Sequence, residues 1–280
     1  MTRIQGQPTP LSRRNSIRIA AYLLLLASCT SAATLAERNP GAHWPAVAEA
    51  SPACQASLAQ VRSQLAMLPT TSLMAVRDGE VLFSYGAVDR ANQVYSVRKS
   101  VLAMMYGPPV AAGTISLDSS LASLDIDDVG GPLPLERSAK VGDLLAARSG
   151  VYHAAANPGD DAEAAPPRGS QRPSAYFLYN NWDFNAAGTV YEQLTRRDIY
   201  QSFVSELAQP LQFEDFTLAQ QRRSGDPKRS RHPAYHFHFS TRDMARLGQL
   251  MLQEGRARSA PPNFCASPIC WCNRHAFKDR

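Results

Sequence analysis

The hydrophobic pattern near the start of the folded region predicts one helix followed by a two-stranded hairpin. After Ser51-Pro52, a cap residue and a first-turn proline, apolar residues recur three or four positions apart up to residue 68, as on one helix face. Two apolar runs, at 72–76 and 80–85, then flank Asp78-Gly79. An Asp-Gly pair between such runs is a strong hairpin signal, so we expect an antiparallel sheet to begin here.

Helices dominate the pattern after the hairpin. Residues 99–106 are predicted to form a helix that Pro108 and Pro109 interrupt, because a proline inside a helix costs about 3 kcal/mol. Helical spacing also predicts segments at 141–148, 184–195 and 198–208, and a final helix that Thr241 caps and Gly255 stops. The hairpin is thus the only source of strands that the pattern reveals.

The charge of the chain is unevenly distributed. Its 280 residues carry a net charge of +5, with 44% hydrophobic and 19% charged residues, a composition typical of a globular protein. Residues 1–28 contain four arginines and no acidic residue, and residues 256–280 also carry a net +4. The segment between them is therefore net −3. Such a body gives no basis for binding nucleic acid, which requires clustered positive charge.

The first 28 residues have the order of a secretory signal peptide: arginines, an apolar run at 19–27, then small residues. The run is roughly ten residues long, against the ~20 needed to cross a bilayer, so a transmembrane helix is not expected. Leu26-Ala27-Ser28-Cys29 resembles a bacterial lipobox, which implies a lipid anchor on Cys29 and a tether over 29–50. Alternatively, an ordinary signal is cut a few residues further on. We expect an exported, periplasmic lipoprotein of a bacterium, anchored to the membrane through Cys29.

Ser96-Val97-Arg98-Lys99 places a hydroxyl and an amine one helical turn apart. A serine hydroxyl is a poor nucleophile at neutral pH and needs a nearby base, which Lys99 could supply from the same helix face. The positive end of the helix dipole also favours negative charge that develops near the serine. A chain of this length contains roughly one such spacing by chance, so the motif alone favours an ordinary surface helix.

The surrounding segments are similar to serine hydrolases of the class C β-lactamase-related family, which includes esterases and DD-peptidases. The hairpin resembles the opening hairpin of that family, and SVRKSVLAMMYGPPVAAGTISLD at 96–118 resembles its nucleophile helix. KVGDLLAARSGV at 140–151 resembles a further family segment, and FLYNNWDFNAAG at 177–188 contains the family's Tyr-x-Asn motif as Tyr179-Asn180-Asn181. The resemblance covers roughly residues 50–255, and the order of several motifs makes it specific.

The resemblance implies an α/β fold of the β-lactamase/transpeptidase type over residues 51–255, with an antiparallel sheet flanked by helices and a helical subdomain. It implies that Ser96 attacks a carbonyl carbon to form an acyl-enzyme and that Lys99 helps to remove the hydroxyl proton. Tyr179 would carry a proton to the leaving group and activate water, and Asn181 would hydrogen-bond the substrate or Lys99. The Ser96 backbone N–H would form half of an oxyanion hole.

The implied substrate is a small ester or amide, such as a β-lactam, a D-alanyl peptide or a short ester, and no cofactor is expected. Tyr179 and Asn181 have an alternative role as packing residues of a loop. His232, His236 and His238 raise the alternative of a metal site, but no carboxylate lies at ligand spacing. We therefore expect no metal.

The C-terminal segment departs from the family pattern. We find no Lys- or His-x-Gly motif, which in this family lies on a strand that completes the sheet and the oxyanion hole. Residues 256–280 lack helical or strand periodicity and contain Cys265, Cys270, Cys272 and His275, whose spacing fits no common zinc module. We interpret this tail as an out-of-frame segment and expect the C-terminal strands to be missing.

Two further expectations follow from these features. If Cys29 carries lipid, Cys54 is the only other cysteine before the tail, so no disulfide framework is predicted for the body. Without the third motif, the rival functional hypothesis is a catalytically inactive relic or a binding lipoprotein of the same fold.

Overall fold

The computed structural model describes residues 40–157, 164–253 and 255. The signal peptide predicted for 1–28, the lipidation site Cys29, the first part of the tether and the tail 256–280 lie outside these residues and stay predictions. The chain divides into two compact units, with the boundary between Val88 and Asp89. In the described part, no helix is both long and apolar enough to span a lipid bilayer.

The first unit contains the predicted helix and hairpin. Helix α1 spans Pro52–Leu65, and the Ser51 side chain caps it by accepting a hydrogen bond from the Cys54 backbone N–H at 3.2 Å. Strands β1 (Ser72–Arg77) and β2 (Glu80–Gly86) pair antiparallel around the predicted turn. Both turn residues, Asp78 and Gly79, have positive φ, 54° and 79°, as a type I′ turn requires.

Cys54 on α1 is 1% exposed and forms a disulfide. It is the one cysteine among the described residues. The sequence analysis predicted no disulfide framework for the body, and a single bond at Cys54 was not expected. Pairing depends on the distance between two cysteines in the fold, which counting them along the chain does not supply.

The first helix of the second unit has the apolar face that was predicted. Helix α2 spans Val97–Met105, and its residues Val101, Leu102 and Met105 are at most 1% exposed. The two prolines follow the end of α2, as predicted, but they lie in the first turn of a new short helix, α3 (Gly107–Ala111). Proline is tolerated there because the first-turn N–H groups have no helical partner to lose.

Side-chain caps decide where the later helices begin. Helices α4, α5, α6 and α7 span Val141–Leu145, Asn181–Thr195, Ile199–Phe203 and Thr241–Leu252, and a π-helical turn at Val204–Ala208 follows α6. Helix α5 begins before the predicted residue 184 because the Asn180 side chain accepts a hydrogen bond from the Asp183 N–H at 2.7 Å. Ser240, rather than Thr241, caps α7.

Short antiparallel pairs supply the strands of the second unit. These are β3, β4, β5 and β6, which span Asn92–Gln93, Arg222–Ser224, Ala234–His236 and His238–Phe239. Strand β3 pairs with β6, and β4 pairs with β5. The sequence did not predict them, because two or three residues carry too little alternation to be distinguished from a loop.

The core of the second unit is aromatic and holds α5 in place. Five rings pack with centroid separations between 4.9 and 6.4 Å: Phe203, Phe213, Phe216, Phe237 and Phe239. Gly188 of α5 lies so close to Tyr235 of β5 that an added Cβ would come within 2.8 Å of its ring. At the end of α2, the Tyr106 hydroxyl donates to the Ala187 carbonyl at 2.7 Å. These contacts hold the middle of α5 against the end of α2 and against β5.

Candidate active site

Ser96 lies at the amino end of α2, and its side chain is exposed. The preceding residue, Tyr95, has a φ of 44°, in the left-handed region that residues other than glycine rarely adopt. Such a conformation costs about 1–3 kcal/mol and persists where the surrounding structure enforces it, often at functional sites. Here the Val94 N–H donates to the Phe237 carbonyl at 3.0 Å. The predicted nucleophile is thus presented on an exposed, constrained turn.

The Lys99 amine is buried against the Tyr-x-Asn motif, with 4% of the residue exposed. Nζ donates to the Asn180 carbonyl at 3.2 Å and lies 3.7 Å from the centroid of the Tyr179 ring. The Phe184 ring, which the sequence did not single out, lies 5.0 Å from the same amine. In the first turn of α2, the Lys99 N–H donates to the Ser96 carbonyl at 3.0 Å. The structure therefore brings Lys99 and Tyr179 together and places Ser96 one turn away.

Tyr179 lies in the loop directly before α5 and is half-buried. The Leu178 N–H donates to the Ala147 carbonyl at 3.0 Å, which attaches this loop to the turn that follows α4. Asn180 and Asn181 follow as the cap and the first residue of α5. The Tyr-x-Asn motif is thus fixed on one side by the start of α5 and on the other by the hydrogen bond between Leu178 and Ala147. These two attachments orient Tyr179 toward Lys99.

Two polar residues of the site, Arg98 and Asn185, were not assigned a role from the sequence. The Arg98 Nη2 donates to the Asn181 Oδ1 at 3.3 Å and to the Asn185 Oδ1 at 2.9 Å. All three side chains are buried. The available signal was that Asn181 and Asn185 share one helix face at i and i+4. Their pairing with Arg98 depends on the packing of α2 against α5.

Comparison with protein families identifies the chain. The family model described as Beta-lactamase matches residues 58–263, which is most of the sequence. The chain belongs to the β-lactamase family. The resemblance to class C β-lactamase-related proteins is thereby confirmed, and the family acts on small-molecule substrates. Comparison with curated proteins gave no match.

Solved structures share the fold of this β-lactamase-family chain at low sequence identity. A protein of Bacillus anthracis, provisionally named a 6-aminohexanoate-dimer hydrolase, gives a TM-score of 0.57 at 13% identity and covers 85% of this chain and 70% of its own. A provisionally named β-lactamase of Bacteroides dorei DSM 17855 gives 0.54 at 19%, covering 78% and 67%. A class C β-lactamase mutant gives 0.50 at 15%, covering 71% and 66%. These likenesses confirm the β-lactamase/transpeptidase-type α/β fold.

A buried carboxyl group supports the loop that carries the family's Tyr-x-Asn motif. Asp183 is fully buried in the first turn of α5, where its Oδ1 accepts a hydrogen bond from the Ser149 hydroxyl at 2.5 Å. The Ser149 oxygen in turn accepts from the Val151 N–H at 2.9 Å. Burial disfavours the charged carboxylate and raises the pKa of Asp183 to about 7, although the Ser149 hydrogen bond opposes this shift.

We expect the Asp183→Asn variant to remove a pH dependence of stability between pH 4 and pH 8. The pKa of Asp183 is raised in the folded state, so the protonated carboxyl group stabilises the fold fully below the unfolded pKa of about 3.9. This stabilisation is lost as pH rises through the folded pKa of about 7. Asparagine keeps the acceptor for Ser149 but does not ionise. The free energy of unfolding of the variant, relative to wild type, should rise by about 4 kcal/mol across this range. Urea titrations at each pH measure it; parallel curves would contradict the shift.

A second buried carboxylate, Asp128, attaches the start of α5 to the turn before β5. It accepts hydrogen bonds from the Trp182 Nε1 at 2.6 Å, the Ser230 hydroxyl at 2.6 Å and the Arg231 N–H at 2.7 Å. Burial alone would raise the pKa of Asp128, but these donors outweigh it and the pKa is lowered. Asp128 is therefore a charged anchor for Trp182, which follows Asn181.

Of the three histidines that were considered as metal ligands, one is buried against neighbouring side chains and two lie on short strands. His232 is buried, its Nδ1 lies 3.0 Å from the Thr189 Oγ1, and its ring packs edge-on to Trp182 at a centroid distance of 5.6 Å. His236 ends β5 and His238 begins β6. Burial lowers the pKa of all three imidazoles. Within residues 40–157, 164–253 and 255, no group of three or more His, Cys, Asp or Glu side chains could hold a metal ion.

Proposed function

We propose that this β-lactamase-family chain is a serine hydrolase that cleaves an ester or an amide through an acyl-enzyme on Ser96. The observation that carries the proposal is the position of the Lys99 amine, 3.7 Å from the Tyr179 ring centroid and one helical turn from Ser96. A nucleophile, a base near it and a third group that contacts the base form the arrangement that activates a serine hydroxyl.

In the acylation step, the Ser96 Oγ forms a bond to the carbonyl carbon of the substrate and its proton passes to Lys99. The Tyr179 hydroxyl then donates a proton to the oxygen or nitrogen of the leaving group, and Lys99 returns a proton to Tyr179. The Ser96 N–H at the positive end of α2 stabilises the negative charge on the carbonyl oxygen. An alcohol or amine leaves, and the acyl group stays on Ser96.

Water reverses these roles in the deacylation step. Its oxygen forms a bond to the acyl carbon while one of its protons passes through Tyr179 to Lys99. The bond between that carbon and the Ser96 Oγ then breaks, and Lys99 returns the proton to the serine oxygen. The products are a carboxylic acid and the original enzyme, so no cofactor takes part in the cycle.

The substrate class that we propose is a small ester or amide, with Asn181 in contact with its acyl part. Candidates are short esters, β-lactams, D-alanyl peptides and linear amides. The name of the Bacillus anthracis neighbour adds the 6-aminohexanoate dimer to the linear amides worth testing.

Covalent labelling with a fluorophosphonate tests the proposal before any substrate is known. We expect intact-mass spectrometry to detect one adduct per wild-type chain and none on the Ser96→Ala variant. Ser100→Ala is the matched control, because Ser100 is an exposed serine on the same helix and its loss should not affect labelling. An adduct that persists in Ser96→Ala would assign the nucleophile elsewhere. A folded wild-type protein without an adduct would favour a binding protein over an enzyme.

A further inference from the structure

The turn that presents Ser96 contains a residue that turn chemistry does not favour. The Val97 N–H donates to the Val94 carbonyl at 3.0 Å, so Tyr95 and Ser96 are the two central residues of a closed turn. Tyr95 has a φ of 44°, a conformation that glycine, asparagine and aspartate adopt at less cost than a bulky aromatic residue. A tyrosine at this position therefore destabilises the turn.

Packing does not compensate for the strain at Tyr95. The residue is 73% exposed, and within the described part of the chain its ring and hydroxyl make no hydrogen bond and no contact with an aromatic ring or a cation. Val97, the next residue after the serine, is also apolar and is 47% exposed. A single exposed apolar side chain is ordinary, but an exposed ring on a strained backbone favours a functional role.

We propose that Tyr95 and Val97 form an apolar contact site for the acyl group of the substrate, so that an alkyl chain such as hexanoyl is preferred over acetyl. This assignment depends on the proposed hydrolase function. The acyl group is bonded to the Ser96 Oγ in the acyl-enzyme, whereas the leaving group departs. Consecutive Cα atoms are about 3.8 Å apart, so both neighbours of Ser96 lie within reach of a short acyl chain. The ring removes apolar area of that chain from water, which stabilises the complex.

Two esters with the same leaving group, p-nitrophenyl acetate and p-nitrophenyl hexanoate, test this inference. Tyr95→Asn should lower kcat/KM for the hexanoate by about tenfold and for the acetate by less than about twofold, because only the longer chain covers the ring. Tyr95→Phe keeps the ring and should retain the wild-type preference. Val97→Thr exchanges a methyl group for a hydroxyl and should lower the hexanoate value by about threefold. Leu252→Asn, at an 81% exposed leucine that ends α7, is the matched control and should change neither value.

The stability of Tyr95→Asn distinguishes a substrate contact from a structural role. Asparagine tolerates the left-handed conformation, so the midpoint of urea unfolding should equal or exceed that of the wild-type protein while the preference for hexanoate is lost. A structural role predicts a lower midpoint and an equal loss of kcat/KM for both esters, and that result would overturn the inference. So would a change in the sedimentation coefficient of Tyr95→Asn, which would assign the exposed ring to a contact between two copies of the chain.

Fluorine NMR separates this inference from the proposed function. In the full-length protein labelled with 3-fluorotyrosine, the Tyr95 signal, assigned by its absence in Tyr95→Phe, should shift saturably with added hexanoate but not with acetate. An unchanged signal would overturn the inference. If the wild-type protein cleaves both esters and Tyr95→Asn keeps their ratio, the contact site is wrong and the hydrolase function stands. If the wild-type protein shows no Ser96 adduct and no turnover, the hydrolase proposal fails, and the fluorine signal alone decides whether an alkyl chain binds beside Ser96.

Discussion

Replacing Lys99 with methionine is expected to lower kcat/KM for p-nitrophenyl ester hydrolysis by about 10⁴-fold, because the serine loses its base. Methionine is similar in length and uncharged, so it can fill a site where lysine is 4% exposed, and its sulfur can contact the Tyr179 ring. The variant should therefore stay folded, which thermal unfolding can verify. Steady-state kinetics at several pH values measures the loss.

Lys140→Met is the matched control for this prediction. The Lys140 Nζ lies 2.8 Å from the Asp118 Oδ1, and both side chains are at least half exposed. An exposed ion pair of this kind contributes about 0–1 kcal/mol to stability, so kcat/KM should change little. If Lys99→Met retained more than a tenth of the wild-type kcat/KM, another group would have to remove the Ser96 proton.

The elements that could be predicted from the sequence are those whose signals are local. The hairpin follows from Asp78-Gly79, since both residues adopt the positive φ that the turn needs. Helix α2 follows from apolar positions that recur on one face. The start of α5 was predicted too late, because the cap at Asn180 depends on a loop that the Leu178 contact with Ala147 holds in place. Strands β3 to β6 are two or three residues long and are defined only by their pairing with another segment of the chain, so no local pattern predicts them.

The site shows the same division between local and distant information. The Ser96 to Lys99 spacing is a property of one helical turn, and the sequence supplied it directly. The contact between Lys99 and the Tyr-x-Asn motif joins residues 81 positions apart, so family resemblance was needed to expect it. Arg98 and Asn185 are 87 positions apart and belong to no family motif that we recognised. Their contact required the packed pair of helices.

The burial of polar side chains was the feature of the site that was hardest to predict from the sequence. Sequence patterns treat aspartate and arginine as surface residues, because few of them are fully buried. Asp183 and Arg98 are nevertheless inside the second unit, where Ser149 and two asparagine side chains provide their hydrogen bonds. Each partner comes from another segment of the chain. The chemical state of the site therefore depends on contacts that no single window of sequence contains.

Replacing Tyr179 with phenylalanine is expected to lower kcat/KM by about 10³-fold while leaving the position of Lys99 unchanged. The amine lies over the face of the Tyr179 ring, and phenylalanine keeps that face, so the substitution removes only the hydroxyl. Both acylation and deacylation should slow, because the same hydroxyl relays a proton in each step. Stopped-flow kinetics with p-nitrophenyl esters separates the two rates through the burst of p-nitrophenol.

Tyr176→Phe deletes the same hydroxyl from a tyrosine that is 42% exposed and lies three residues before Tyr179, and it should behave as wild type. Because Tyr179→Phe retains the ring and the serine, it should still react with a fluorophosphonate, only more slowly than the wild-type protein. A phenylalanine variant with wild-type rates in both phases would show that Tyr179 is a packing residue for the Lys99 amine. The proton path would then have to run from Ser96 through Lys99 to the leaving group without the phenol.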